Sequence, residues 1–130
     1  MSDRSGTENI HRLLMGVVEK NLRVSMICEG LEQVPSFSLP GGFSMRSYIP
    51  GDEALWVEVY SAAEKYLTIN LELFRKEFGG DPEPLSKRQL FLMDPAGLCV
   101  GTATAWFNDD YYGRPIGRIH WVAIRPEFQG

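Results

Sequence analysis

Apolar residues recur along the chain with the spacings of helices and strands. From Ile10 to Leu22 they fall at i, i+3, i+4, i+7 and i+8, which predicts an amphipathic helix packed on the domain or on a partner chain. Val24 to Ile27 is short, apolar and predicted to be extended. Gly30 to Gly42 carries two prolines and three glycines and predicts an irregular connection. We therefore divide the chain into an extension at 1–41 and a domain at 42–130.

The domain begins with a predicted strand followed by two helices. Phe43 to Ile49 alternates in polarity as a strand does, and Asp52 is a natural N-cap for the helix that follows. A second apolar stripe with helical spacing runs from Leu71 to Phe78, and Gly79 provides its stop. Asp81 to Lys87 is polar and contains proline, which favours a loop.

Two hairpins follow. Leu90 to Met93 is a short apolar strand, and Asp94 to Gly97 has the residues of a tight turn. Leu98 to Phe107 is the longest strand candidate; Val100, Thr102, Thr104 and Trp106 form one face, and small residues that permit close packing form the other. Asn108 to Pro115 is predicted to be a turn region, from which a final strand returns over Gly117 to Ile124.

A period of two divides the side chains of this final strand between two faces. One face is predicted to carry Arg118, His120, Val122 and Ile124; the other is predicted to carry Ile119, Trp121 and Ala123. Arg125-Pro126 then ends the strand, because proline has no amide hydrogen to donate to a sheet.

Composition narrows the classes of function. The net charge is −4, from 13 Lys and Arg against 17 Asp and Glu, so the cationic excess that binds nucleic acid is missing. A length of 130 residues suits one domain. The sequence contains no run of about 18 apolar residues, the length that a membrane-spanning helix needs. The polar N-terminus does not resemble a signal peptide. We expect a cytoplasmic protein that binds neither nucleic acid nor membranes.

The cysteines and histidines are too few and too widely spaced for a metal site. Cys28 and Cys99 are the only cysteines, and His11 and His120 the only histidines. Each cysteine lies in an apolar run, which predicts two buried free thiols in a reducing compartment. No metal is expected.

The end of the chain resembles the central motif of the GCN5-related N-acetyltransferase family. Val122 to Gly130, VAIRPEFQG, matches a strand that ends in V-x-x-x-P-x-x-Q/R-G. The family continues with further glycines and a helix, whose N-terminal amides capture the pyrophosphate of acetyl-coenzyme A. FSMRSYIPGDEALWVEV, from Phe43 to Val59, is also similar to the strand and helix with which the family opens.

The resemblance implies an α/β fold with a mixed, mostly antiparallel sheet flanked by helices, of which 42–130 would be the N-terminal portion. It also implies acetyl-coenzyme A as cofactor, bound by backbone groups on a strand that splays from its neighbour. The implied cofactor-binding residues are Val122, Ala123, Ile124, Gln129 and Gly130. Since the pattern stops inside the loop, we expect this chain alone to bind acetyl-coenzyme A weakly or not at all.

His120 is the candidate general base. An acceptor amine must lose a proton before it attacks a thioester, and a group with a pKa near neutrality does this best. Some family members use a glutamate or histidine from this strand, whereas Arg118 stands where certain members carry the glutamate. The alternatives are that His120 is a core histidine or only orients a water molecule. Other candidate bases are Glu53, Glu58, Asp109 and Asp110.

Helices one and two line the acceptor side in the family, so the resemblance also implies acceptor contacts. The substrate-binding candidates are Trp56, Tyr60, Trp106, Asp109 and Asp110, with Tyr66 and Phe74 as further aromatic candidates. A core role is the alternative for each aromatic residue, and a solvated turn is the alternative for the two aspartates.

The leading hypothesis is an acetyl-coenzyme A-dependent N-acetyltransferase that acts on a primary amine of a small molecule or peptide. Alternatives are a non-catalytic acyl-coenzyme A-binding or protein-interaction domain of the same fold, and an inactive fragment. An open sheet edge would favour pairing with a second copy, so a homodimer is also expected.

Overall fold

A computed structural model describes residues 22–130, and its contacts divide the chain into two units, Met1–Ser36 and Phe37–Gly130. Within the first unit, residues 22–36 form no helix or strand. A turn there is closed by the Val34 amide, which donates to the Leu31 carbonyl at 3.3 Å. The predicted domain boundary at residue 42 stays a prediction.

Three expectations concern the first unit. The predicted helix from Ile10 lies outside the described residues, except that Leu22, its predicted last residue, is in irregular backbone. The Val24 to Ile27 segment joins no sheet. Cys28 is exposed, so its predicted burial is wrong, whereas Cys99 is a buried free thiol as predicted.

The second unit is a four-stranded antiparallel sheet with strand order β1-β2-β3-β4 and helices packed on one face. Its elements, in chain order, are β1 Ser44–Ser47, α1 Glu53–Ala63, α2 Leu71–Phe78, α3 Pro82–Arg88, β2 Gln89–Met93, β3 Cys99–Tyr111, β4 Arg114–Ile124 and a 3-10 turn Pro126–Phe128. The predicted fold class is confirmed for this unit.

The core lies between the helices and the sheet and is strongly aromatic. Trp56 is fully buried and packs edge-on against Phe74 and Phe78, with ring centroids 5.3 and 5.6 Å away. Phe91 of β2 and Leu85 of α3 complete the contact between helices and sheet. Burial of large apolar side chains is the main source of stability in such a core.

Capping residues close to each helix in the sequence determine where α2 and α3 begin and where α2 ends. At the start of α2, Asn70 Oδ1 accepts from the Leu73 amide at 2.8 Å, and Gly79 ends the helix with a positive φ of 74°. The predicted loop at Asp81 to Lys87 is wrong, because α3 forms there. Asp81 caps it by accepting from the Glu83 amide at 3.0 Å, and Pro82 occupies the first turn, where a helix tolerates proline.

The β3–β4 hairpin is longer than predicted. The strands reach Tyr111 and Arg114, and the turn is reduced to Tyr112 and Gly113, with φ of 49° and 78°. Two positive φ values match the tight turn that suits the right-handed twist of a hairpin. The predicted turn over Asn108 to Pro115 is therefore wrong in extent, because a bulge at Asn108, whose φ is 66°, lets pairing continue through polar residues.

The predicted small face of β3 allows β4 to approach closely. A Cβ added at Gly101 would lie 3.2 Å from the Ala123 carbonyl oxygen and 2.5 Å from Ile124 Cδ1. On the other face, Thr102 and Thr104 are buried and Trp106 packs against the core, which confirms the predicted division of faces in that part of the strand.

Candidate functional site

A β-bulge interrupts β4 beside Val122, the first of the residues that the resemblance assigns to cofactor binding. Thr104 pairs with His120 and Thr102 pairs with Ala123, so Trp121 and Val122 together face the single residue Ala103. Trp121 has a φ of 53°, a left-handed conformation that is uncommon for a bulky residue. A bulge leaves the extra residue outside the ladder of backbone hydrogen bonds.

The bulge overturns the predicted alternation of faces from Trp121 onward. Trp121 packs edge-on against Trp56 at 5.6 Å, so it lies on the same helix-covered face as its neighbour His120. Val122 is 56% exposed and Ala123 is buried in the core. A strict period of two fails here because the extra residue shifts the pattern by one position.

His120 is almost enclosed between β4 and α2. Its side chain is 11% exposed, and its ring lies 5.4 Å from that of Phe78. Its Nε2 atom lies 3.3 Å from Oε2 of Glu77, an ion-pair distance, but the pair does not meet the geometry of a hydrogen bond. Within the described part of the chain, Nε2 is thus a buried nitrogen without a hydrogen-bond partner.

Burial lowers the pKa of His120 below its ordinary value of 6.5, and the positive charge of Arg118 lowers it further. The negative charges of Glu77 and Asp109 act in the opposite direction without reversing the shift. The imidazole is therefore neutral at neutral pH and retains a lone pair that can accept a proton.

The same oxygen of Glu77 also contacts the bulge residue. Trp121 Nε1 donates to Glu77 Oε2 at 3.2 Å. Glu77 stands in the last turn of α2, and its side chain is 27% exposed. Sequence reasoning missed this residue, because a glutamate in a helix that carries other charges has no distinctive local pattern.

The predicted acidic residues of the hairpin have different environments. Asp109 pairs with Arg118, with Oδ2 2.9 Å from Nε, and its charge is therefore already compensated. Asp110 accepts from the Gly113 amide at 3.3 Å in the exposed turn. Their predicted contact with an acceptor remains a prediction.

The predicted cofactor residues lie in one short segment with different exposures. Val122 is exposed, Ala123 is buried and Ile124 is half-buried. Gln129 Nε2 donates to the Ile124 carbonyl at 2.8 Å and folds the segment back on the strand end. Gly130 has a φ of 110°, a backbone conformation that favours glycine.

Arg125, in the middle of this segment, is held by protein groups. Its Nε donates to the Cys99 carbonyl at 2.8 Å, and an Nη atom donates to Glu58 Oε1 at 2.7 Å. Its side chain is only 15% exposed. These contacts attach the end of β4 to β3 and α1, a role that sequence reasoning did not assign.

Most of the aromatic residues predicted to contact the acceptor pack against other aromatic side chains. Trp56 has no exposed surface, and Tyr60 is 5% exposed and lies 5.2 Å from the Trp121 ring. Trp106 is half-buried and stacks edge-on against Phe78 at 5.4 Å. Tyr66 is 91% exposed. Of these, Tyr66 and Trp106 retain surface that an acceptor could reach.

Two alternative bases are already engaged. Glu53 accepts a hydrogen bond from the Tyr48 hydroxyl, and Glu58 pairs with Arg125. An open cleft of about 440 Å³ borders the start of α1 and one side of α2, with Leu71, Arg75 and Gly79 in its lining. Of the candidate site residues, this lining includes Glu53 alone.

Over residues 22–130, no three or more His, Cys, Asp or Glu side chains are grouped as a metal ion would need. None of the helices in that range combines the length and apolar character needed to cross a bilayer.

Comparison with known proteins adds a relative and a shared fold. No family model matches the chain. The chain is 28% identical over 107 residues to the mycothiol acetyltransferase of Arthrobacter sp. (strain FB24), a match that covers 75% of this chain and 32% of that protein. It is also similar to the crystal structure of a GCN5-related N-acetyltransferase from Sphaerobacter thermophilus, with a TM-score of 0.57, 22% identity, and coverage of 74% of this chain and 29% of that one.

The chain thus spans about a third of the length of these relatives. Its antiparallel sheet and the three helices of the described residues form a mixed α/β fold of the GCN5-related N-acetyltransferase type. The shared fold and the sequence similarity both support the GCN5-related N-acetyltransferase superfamily that the sequence motif indicated.

Proposed function

We propose that the protein is an acetyl-coenzyme A-dependent N-acetyltransferase that acts on a primary amine of a small molecule or peptide in the cytoplasm. One observation carries this proposal: a bulge in β4 places the strained residue Trp121 directly after the enclosed imidazole of His120. Strained backbone conformations cluster at functional sites, where they place groups that regular structure would direct elsewhere.

The residues of β4 fit the cofactor that the family implies. A bulge removes backbone groups from the ladder, and Val122 beside it is exposed. Backbone N–H groups of this kind can hold a thioester carbonyl and stabilise the negative charge that develops on it. Acetyl-coenzyme A, when bound, supplies an acetyl group activated as a thioester, and transfer replaces its carbon–sulfur bond by a carbon–nitrogen bond to the amine.

His120 would accept the proton that the amine must lose. An ammonium group has no lone pair, so deprotonation precedes attack. With a proton on Nε2, which faces Glu77, the neutral ring carries its lone pair on Nδ1. Transfer of the amine proton to that nitrogen, directly or through water, yields an imidazolium that Glu77 and Asp109 stabilise.

The test combines binding and turnover. Calorimetry measures acetyl-coenzyme A binding by the 130-residue chain and by the product of its gene with any codons beyond Gly130. Mass spectrometry then detects acetylation across a panel of primary amines. The matched control for His120→Asn is Glu72→Gln, on the exposed surface of α2.

We expect binding and transfer in at least one of the two forms, with transfer abolished in His120→Asn while binding remains. Binding without transfer to any amine would favour the acyl-coenzyme A-binding alternative. Absence of binding in both forms would overturn the proposal.

A further inference from the structure

One oxygen atom of Glu77 meets two consecutive residues of β4. Glu77 Oε2 lies 3.2 Å from Trp121 Nε1 and 3.3 Å from His120 Nε2. These two residues are the candidate base and the bulge residue. The carboxylate therefore connects the end of α2 to the strand segment on which the proposed chemistry depends.

The surroundings restrict what this carboxylate can do. It is partly enclosed, since 27% of the Glu77 side chain is exposed against 11% of the His120 side chain. The Trp121 ring is held on its other side by Trp56 and Tyr60, at 5.6 and 5.2 Å. A carboxylate in such a site is screened less by solvent than one on the surface, so the negative charge of Glu77 acts directly on the imidazole.

We propose that Glu77 is a positioning residue, which orients the His120 imidazole with Nε2 inward and holds the Trp121 indole so that the bulge keeps its shape. This inference rests on the proposed function, because it assigns Glu77 a role in proton transfer through His120. A carboxylate beside one imidazole nitrogen favours the tautomer with the proton on that nitrogen, which leaves the other free to act as base.

Three charged groups face His120 and set the direction of the expected change. Arg118 on the same strand disfavours the imidazolium, whereas Glu77 on α2 and Asp109 on β3 favour it. Substitution Glu77→Gln removes one favourable charge and keeps the side-chain shape, with an oxygen that still accepts from the Trp121 indole. The pKa of His120 should therefore fall further in that variant.

The first readout is the pKa of His120 in the full chain, followed by NMR of the imidazole ring, with His11→Asn and His120→Asn used for assignment. We expect a fall of about one pH unit in Glu77→Gln and no change in the matched control Glu72→Gln. Glu77→Ala should show the same fall and should also shift the indole N–H resonance of Trp121, assigned with Trp121→Phe.

The second readout is the pH profile of acetyl transfer. In Glu77→Gln the acidic limb should move to lower pH, with kcat reduced about tenfold and KM for acetyl-coenzyme A unchanged. A purely structural role would reduce folded protein and leave the limb where it was.

An unchanged pKa of His120 in folded Glu77→Gln would overturn the proposal, whether or not the protein turns over. If Glu77→Gln does not fold, Glu77→Ala carries the same test, because it also removes the charge. Glu77→Asp retains the charge and should keep the His120 pKa near that of the unaltered chain, so an equal fall in that variant would also overturn the proposal. Failure of both forms, the 130-residue chain and the longer gene product, to acetylate any amine would instead contradict the proposed function. The effect of Glu77 on the His120 pKa, measured by NMR, would still stand.

Discussion

Two clusters of polar side chains connect a helix to a strand in this fold, and they differ in how completely they are satisfied. In the β1–α1 cluster, Asp52 accepts from both Nη atoms of Arg46, at 2.7 and 3.0 Å, and from the Ile49 amide at 2.8 Å. In the α2–β4 cluster, His120 and Trp121 both contact one carboxylate oxygen of Glu77. Nε2 of His120 lacks a hydrogen bond among the described residues.

The difference separates a structural cluster from a candidate reactive one. A carboxylate with several good donors is stabilised in its charged form and holds its neighbours in one arrangement. A buried imidazole with an incomplete partner costs free energy, and such a cost is more often retained where a group must exchange protons. We therefore expect substitutions in the β1–α1 cluster to affect stability and those in the α2–β4 cluster to affect activity.

The largest expected effect is on catalysis. His120→Asn removes the proposed base and should reduce the rate of acetyl transfer by a factor of about 100 to 10,000, since the amine would then lose its proton without assistance. Single-turnover kinetics with a responsive amine measures the rate. A reduction below about threefold would show that His120 is a core histidine. The α2–β4 cluster would then be structural, as the β1–α1 cluster is.

The next effect is on stability. Asp52→Ala leaves the Arg46 guanidinium and the Ile49 amide without their acceptor, which should lower the free energy of unfolding by about 2 kcal/mol. Urea denaturation followed by tryptophan fluorescence measures the change. Asp110→Ala, at the exposed hairpin turn, is the control and should change stability by less than about 0.5 kcal/mol.

A smaller effect concerns the strand opposite the bulge. Gly101→Ala places a methyl group against the Ala123 carbonyl oxygen and the Ile124 side chain, so β3 and β4 must separate slightly. We expect a loss of about 1 kcal/mol, together with weaker acetyl-coenzyme A binding because Ala123 adjoins the bulge. Ala105→Ser, at an exposed position of the same strand, is the control, and an equal loss of binding there would contradict the explanation.

The pH dependence of stability should differ between the clusters. Burial lowers the pKa of folded His120 below the ordinary 6.5, so the unfolded chain takes up its proton first as the pH falls. The contribution of His120 is complete above pH 6.5 and declines as the pH falls through that value toward the folded pKa. His120→Asn should flatten this part of the stability profile.

The contribution of Asp52 to stability is lost at lower pH than that of His120. Burial alone would raise its pKa, but the hydrogen bonds from Arg46 and Ile49 and the charge of Arg46 outweigh burial and lower it below 3.8. Its contribution is present above that value and is lost as the pH falls through the folded pKa. Asp52→Asn should remove this second decline, and thermal denaturation across pH 2 to 8 distinguishes the two. A single decline unaffected by either substitution would contradict the assignment.

Much of the fold could be read from local patterns in the sequence. Helix α2 was predicted over the residues it occupies, from Leu71 to Phe78, because its apolar stripe and its terminal glycine act within one segment. Strand β2 and the turn after Met93 were predicted for the same reason. The wrong prediction at α3 is also local: Asp81 and Pro82 form a helix start, but proline is common in loops as well, so the local pattern does not distinguish the two.

The contacts around the bulge could not be predicted in this way. The family motif led to His120 and to the segment from Val122 onward, since these residues are adjacent in the chain. Glu77 joins them from 44 residues away, and Trp121 turns toward the helices only because β4 carries one more residue than β3 opposite it. Local propensity therefore determined the elements, whereas the pairing register and the packing of α2 on β4 determined which side chains meet, because those distances depend on residues far apart in the chain.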